Sequence, residues 1–298
     1  MNVAQLVLLA TIAAAAVGFL AYWFLTAPRH PARRAPTAEE VALGAVSNFF
    51  DALGIGSFAT STSYFRLRRM VPDVEIPGTL NIGHAPAAIA EALIYITIVT
   101  VDPWLLGAMT LAMVLGSWIG AGFVLRVPRP VLLAVLGFGT LVAGVLFIAV
   151  NLDWLPGGGE AFALTGWRFG FAIAANFVLG ATMAAGIGMF GPCMIMLALL
   201  GMHPRAAFPI MMSGGSLQQM ISGVRYLRMG RYAFGTAVGL GIGGVVGVGV
   251  AAFIVRSLPV VTLRWLVAFV ALYVAIDFLR AAFRALRSAK ATQTVEPS

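Results

Sequence analysis

The chain has a single cysteine, Cys193, so it can hold no internal disulfide and no cysteine metal cluster. Charge is scarce too: 10% of the 298 residues are Asp, Glu, Lys or Arg, against 60% hydrophobic and a mean hydropathy of +0.95. No soluble domain of this length has that balance. A Walker A pattern, Gly-x-x-x-x-Gly-Lys-Ser/Thr, is absent, which excludes ATP as a direct energy source within this chain. Carboxylates at depth are limited to Asp51 and Glu91, too few for the acidic metal cluster of a lipid-phosphate enzyme. No cofactor and no metal are expected.

What the chain has in abundance is long apolar runs. Stretches of the ~20 residues needed to cross a bilayer are readable at about 4–26, 78–100, 104–125, 130–150, 206–227, 232–255 and 262–283. Two further regions, about 38–69 and 168–201, carry Gly-rich interruptions near their middles. The expected fold class is an all-α integral membrane protein, with the lipid bilayer as its solvent.

Those two interruptions are copies of each other. Residues 54–83 begin GIGSFATS and residues 186–215 begin GIGMFGPC, 132 positions on. Aligned without a gap they share Gly54/Gly186, Ile55/Ile187, Gly56/Gly188, Phe58/Phe190, Leu67/Leu199, Met70/Met202, Pro72/Pro204, Pro77/Pro209 and Gly83/Gly215. The residues kept by both copies include Gly and Pro, the two worst helix formers, so both halves break a helix at the same point.

The basic residues set the topology. If both broken regions are re-entrant hairpins and Met1 is outside, 15 of the 19 Lys and Arg fall on the cytoplasmic side, leaving Arg168, Arg205, Arg256 and Arg264 outside. Full crossing of both regions gives 11 inside and 8 outside, which favours the hairpins. Each half is then one hairpin plus three spans, and the odd number inverts the second half. The expected architecture is an inverted repeat of two four-element halves with one extra N-terminal span. Its segments are an N-terminal span at 1–26, kept rather than cleaved as a signal peptide; a basic Pro-rich cytoplasmic linker at 27–40; the first repeat at 41–151; an extracytoplasmic loop at 152–167; the second repeat at 168–283; and a cytoplasmic tail at 284–298. Within that tail, 288–298 read as disordered. The expected location is the inner (plasma) membrane, multi-pass, with the N-terminus outside and the C-terminus cytoplasmic. The net charge of +8 is explained by this positive-inside arrangement, so no nucleic-acid partner is expected.

Broken helices at depth survive only where they pack in protein or line a cavity. In the first copy Ser57, Thr60 and Ser61 offer hydroxyls to cap a new helix, and in the second Pro192 follows Gly191. A helix N-terminus carries a partial positive charge and free N–H donors, so two facing termini suit a small anion. Candidate substrate-binding residues are Gly54, Gly56, Ser57, Thr60, Ser61, Gly186, Gly188, Gly191 and Cys193, with the repeat partners Asn81 and Ser213, and with Ser216, the partner of His84. Each has a plainer reading: Cys193 as an inert small hydrophobe, the Ser residues as glue between helices. Asp51, His84 and Glu91 are candidates for proton coupling. For Asp51 the alternative is a structural contact to Asn48 or a helix terminus. His84 and Glu91, seven apart, would share a helix face, where a structural bond between helices is the alternative. The glycines at 239, 241, 243, 244, 247 and 249, and at 116, 120 and 122, read as close-packing faces.

With GIGSF followed about ten residues later by a basic loop and a Pro, residues 40–283 resemble the sulfite exporter TauE/SafE family of membrane transporters. The resemblance implies movement of a small sulfur-containing anion, such as sulfite or an organosulfonate, by a protein that is not an enzyme. Family sequences often carry a Gly run with a Pro soon after; here the first break has no Pro until Pro72, and the second has Gly191-Pro192. Protons are a candidate co-substrate and a homodimer stays open. Two other classes stand beside this one: a rhomboid-like hydrolase using Ser57 and His84, against which the Gly-Ser-Phe context speaks, and a membrane scaffold without transport.

Overall fold

The computed structural model of the protein describes residues 3–27, 34–53, 56–120, 128–152, 154, 159–184, 189–257 and 260–293. Gly54, Gly122, Gly186 and Gly188 lie outside the described residues. The helices are α1 (Val3–Thr26), α2 (Ala38–Ala52), α3 (Ser57–Arg68), α4 (Ile76–Gly83), α5 (Ala85–Ile98), α6 (Pro103–Leu115) running into a π turn (Gly116–Gly120), α7 (Arg129–Asn151), α8 (Gly166–Ala184), α9 (Phe190–Leu199), α10 (Pro204–Met229), α11 (Phe234–Ser257) and α12 (Val260–Gln293). Among the described residues there is no strand, only one parallel bridge between Ala161 and Met202. The chain is all-helical. Among the described residues two helices are long and apolar enough to cross a membrane, Gln5–Thr26 and Phe234–Ile254.

Local chemistry sets the ends. α2 starts on a capping box: the Thr37 hydroxyl accepts from the Glu40 N–H and the Glu40 carboxylate accepts from the Thr37 N–H. α6 starts on Asp102, whose carboxylate accepts from the Leu105 N–H at 2.8 Å, with Pro103 at the first helical position. α10 ends on Gly230 at φ 62°, a left-handed position that glycine takes without strain.

Three expectations change. The run at 78–100 starts at Ile76 and is interrupted at His84, because Pro86 has no N–H for the Ile82 carbonyl and its ring crowds that turn. His84 and Glu91 therefore do not sit on one unbroken helix. The tail at 288–298 is helical as far as Gln293, since α12 continues the last span. Finally, neither break is capped as its sequence suggests: α3 has no hydroxyl cap, and Pro192 lies at the third position of α9 rather than the first.

Both broken regions double back. At the start of α2 the Glu39 carboxylate accepts from the Tyr64 hydroxyl (2.7 Å) and the Arg68 Nε–H (2.9 Å), both on the last turns of α3. These bonds hold the exposed Glu39 below the usual carboxylate range, Tyr64 contributing most and Arg68 next. In the second region the Arg168 guanidinium, at the start of α8, donates to the Leu200 carbonyl just past α9 at 3.4 Å. Each region is thus a hairpin with its mouth closed by a polar bond and with the described residues beside its turn, among them Leu53, Ser57, Met189 and Phe190, buried. The mouths lie by opposite ends of α10. The second mouth leads into α10 through His203, whose N–H donates to the Ala161 carbonyl, while the far end of α10 turns back to α4, where the Ala233 N–H donates to the Thr79 hydroxyl.

Packing between the hairpins and the long helices is reciprocal. α2 lies along α11, α8 lies along α6 and its π turn, α5 faces α10 and α7 faces α12. Glycine makes the first two contacts. A Cβ on Gly243 would overlap the Val41 carbonyl, and one on Gly247 the Ala45 carbonyl; a Cβ on Gly116 would overlap Phe177 and one on Gly180 would overlap Met113. Gly249 has open space instead, so the small-residue face of α11 does not include it.

Candidate functional site at the hairpin tips

Across the first tip, Asp51 on the last turn of α2 accepts from the Ser57 N–H at 3.0 Å and from the Ser57 hydroxyl at 2.7 Å. A carboxylate therefore already occupies the N-terminus of α3, where opposite charge is favoured. Of the two structural readings of Asp51, the helix-terminus contact is the one present. Gly56, between them, has φ 90°, which a side-chain-bearing residue would adopt only with strain.

Behind this strap runs a second polar line. The Asn48 amide nitrogen donates to the Gly44 carbonyl at 2.8 Å, which turns its oxygen toward His84 Nδ1 at 3.0 Å. Nδ1 then carries the ring proton, and Nε2 accepts from the Ser61 hydroxyl at 3.1 Å. The sequence paired Ser57 with His84; the structure pairs Ser61 with His84 and Ser57 with Asp51. Ser61, His84 and Asn48 have the order of a nucleophile, base and orienting group, yet all three are fully buried. In this closed arrangement the line ties α3, α2 and the α4–α5 junction together. Thr60 spends its hydroxyl on the Ser57 carbonyl of its own helix at 2.9 Å.

The second tip is less polar. Cys193, fully buried on α9, donates weakly to the Asn176 amide oxygen (3.5 Å), and the Asn176 amide nitrogen donates to the Met109 carbonyl (2.7 Å). Ser213 and Thr110 share a hydroxyl–hydroxyl bond at 2.7 Å, and Ser216 returns to the Ser213 carbonyl. Gly191 lies inside α9. Asn176 and Thr110 were not singled out from sequence. An Asn amid an apolar run was the available signal, because an unpaired amide is costly there.

The first tip touches the α4–α5 segment and the second touches α10. Phe58 packs on the His84 ring (centroids 5.8 Å apart), the Tyr95 hydroxyl donates to the Ala52 carbonyl (2.9 Å), and the Phe190 ring closes on Gly215. Asn81 lies further along α4, its amide nitrogen donating to the Pro77 carbonyl. It is away from Ser213: the contact of Gly223 with the Asn81 carbonyl and the Tyr95–Phe208 stack put Asn81 opposite Gly223 instead. Glu91, on α5 one turn before Tyr95, is fully buried, and neither of its oxygens has a partner in the protein.

No family model, curated protein or solved structure matches this chain.

Proposed function

We propose that the chain is an integral membrane transporter moving a small anion, sulfur-containing as the TauE/SafE resemblance implies, by alternating access between two inverted halves. The observation that carries this reading is the pair of doubled-back hairpins, whose mouths flank opposite ends of α10 and whose inner ends are buried, the first against the α4–α5 junction and the second against α10. Paired helix breaks meeting inside a bundle are the design by which transporters hold substrate near the bilayer midplane. α2 and α3, of 15 and 12 residues, are about 22 and 18 Å long at 1.5 Å per residue, short of a ~30 Å hydrocarbon core, as re-entrant helices should be. Large apolar side chains exposed along the outer helices, among them Phe24, Trp104, Trp118, Phe138, Phe253 and Phe269, give the bundle a surface suited to lipid.

The buried tip residues describe a closed state. Substrate must then enter by parting the tips, with Ser57, Ser61 and the α3 N-terminus on one side and the α9 N-terminus and Cys193 on the other. At the first tip an incoming anion competes with Asp51 for the Ser57 donors.

The test is flux in proteoliposomes of labelled sulfite, thiosulfate and small sulfonates across an imposed pH gradient. Uptake of at least one is expected, and no flux for any small anion sinks the reading. Topology is tested separately. Arg68→Cys at the first mouth should react with an impermeant maleimide from the cytoplasmic side and Arg168→Cys at the second from outside. Reaction of both from one side refutes the inversion. Cys193, being fully buried, should not react in the folded protein.

A further inference from the structure

The three carboxyl and imidazole groups of the centre are not equivalent. Asp51 is satisfied by Ser57, and His84 by Ser61 and Asn48. Glu91 alone is unpartnered. The buried side-chain oxygens without a partner on α4 and along residues 206–224 of α10 are Asn81 Oδ1, Gln218 Oε1 and Gln219 Oε1. Buried acceptors left without a partner call for a positive charge or a proton.

Geometry narrows the group. The Tyr95–Phe208 stack and the Asn81–Gly223 contact fix α5 and α10 as antiparallel, with residue 91 opposite about residue 213 and residue 85 opposite about residue 219. Asn81 is ten residues from Glu91, roughly 15 Å along the axis, and drops out. Gln218 turns its amide nitrogen to Ser222. Gln219 lies four residues from both Gly215 and Gly223, on the stripe of α10 that meets the hairpin tip at Phe190 and, further along, Phe19 of α1 and the Asn81 carbonyl of α4. Glu91 lies four residues before Tyr95, on the stripe of α5 that meets α10. The two are about 9 Å apart along the axis, and helix side chains slant toward their own N-terminus, so in antiparallel helices these two lean toward each other.

We propose that Glu91 and Gln219 form a binding site for a small monovalent cation, Na+ or a proton, that couples to the anion moved by the same tips. The proposal rests on the transport reading. Its electrostatics are simple: Asp51 lies within electrostatic reach of Glu91, and both carboxylates are buried. No cation offsets them from the packed helices. Residues 206–224 of α10, 234–255 of α11 and 3–26 of α1 contain no Asp, Glu, Lys, Arg or His. The other titratable groups near Glu91 are His84 and Tyr95 on its own segment. Hard oxygen donors, one of them charged, suit Na+, and a lone carboxylate in an apolar core suits a proton. A bound cation cancels the repulsion between Glu91 and Asp51 and lets the tips close. Its departure restores the repulsion and favours their opening.

The test measures binding without transport. The melting temperature of the detergent-purified chain is followed against NaCl, with choline chloride as control, and against pH without Na+. A rise of roughly 2–4 °C with Na+, lost in Glu91→Gln, assigns Na+. Insensitivity to Na+ with a melting temperature that falls as pH rises, and a flatter profile in Glu91→Gln, assigns the proton, because the folded state then gives up its bound proton. If Glu91→Gln fails to fold, Gln219→Ala should shift the Na+ or pH midpoint about tenfold. No response to either cation, or the same response in the variants, overturns the proposal. Cation binding with no anion flux would sink the transport reading and leave the site standing.

Discussion

Gly243→Leu should yield no folded protein in detergent, and Gly243→Ala should already lose most of it. α2 lies very close on α11, and there the backbone of one helix occupies the space where the other would carry a side chain. A Cβ on Gly243 meets the Val41 carbonyl, and Gly244 and Gly247 are blocked by Asn48 and Ala45. Relief cannot come from a rotamer change, because the obstacle is backbone. Prying the helices apart would strip the Gly44 and Asn48 contacts and with them the orientation of His84. Overpacking of ordinary side chains costs about 1–3 kcal/mol, and a backbone clash exceeds that. Size-exclusion chromatography and thermal melting read the outcome, with Gly249→Ala as the silent control, since nothing lies within 4 Å of its added Cβ. A well-folded Gly243→Leu protein would show that α2 does not sit against α11 in this way.

The second large effect is at Asp51. Asp51→Ala leaves the Ser57 N–H and hydroxyl buried without an acceptor, a loss of about 1–3 kcal/mol per group. A fall in melting temperature of roughly 5–10 °C and at least a tenfold loss of flux are expected. Asp51→Asn separates the two roles. Its amide oxygen still accepts from the Ser57 N–H and the hydroxyl can turn to accept from its amide nitrogen, so stability should stay near wild type. Flux in Asp51→Asn should lose any dependence on the charge at this position. Wild-type stability in Asp51→Ala would mean that Ser57 has another acceptor and that the strap is not what holds the tip.

Much of the architecture was readable because membrane-like sequences repeat a simple rule. The helix breaks near residues 54 and 186 were visible as Gly pairs in apolar runs, and the observed helices stop at Ala52 and Ala184 and restart at Ser57 and Phe190. The Glu39–Arg68 and Arg168–Leu200 bonds close the ends of both doubled-back regions, and the membrane side of each, which the arginine count addresses, belongs to the proposed reading. The hydrogen-bond partners were not readable. Ser61 and Ser57 are four residues apart on one helix, and only the angle at which α3 meets α4–α5 decides which of them faces His84. The interruption at His84 is hidden for a related reason: the apolar pattern of 78–100 continues across Pro86. Glu91 was legible as a buried carboxylate, but its solitude was not, because the absence of donors is a property of three packed helices and not of one segment.

The interlocked packing of the halves also has a meaning in time. Glu40 at the head of α2 meets Thr236 at the head of α11, 196 residues later in the chain. During synthesis the first hairpin therefore waits, its glycine-lined flank uncovered, until nearly the whole polypeptide has emerged. Neither half is a finished object by itself. The protein acquires its centre in one late step, when the last helices slot against surfaces made long before.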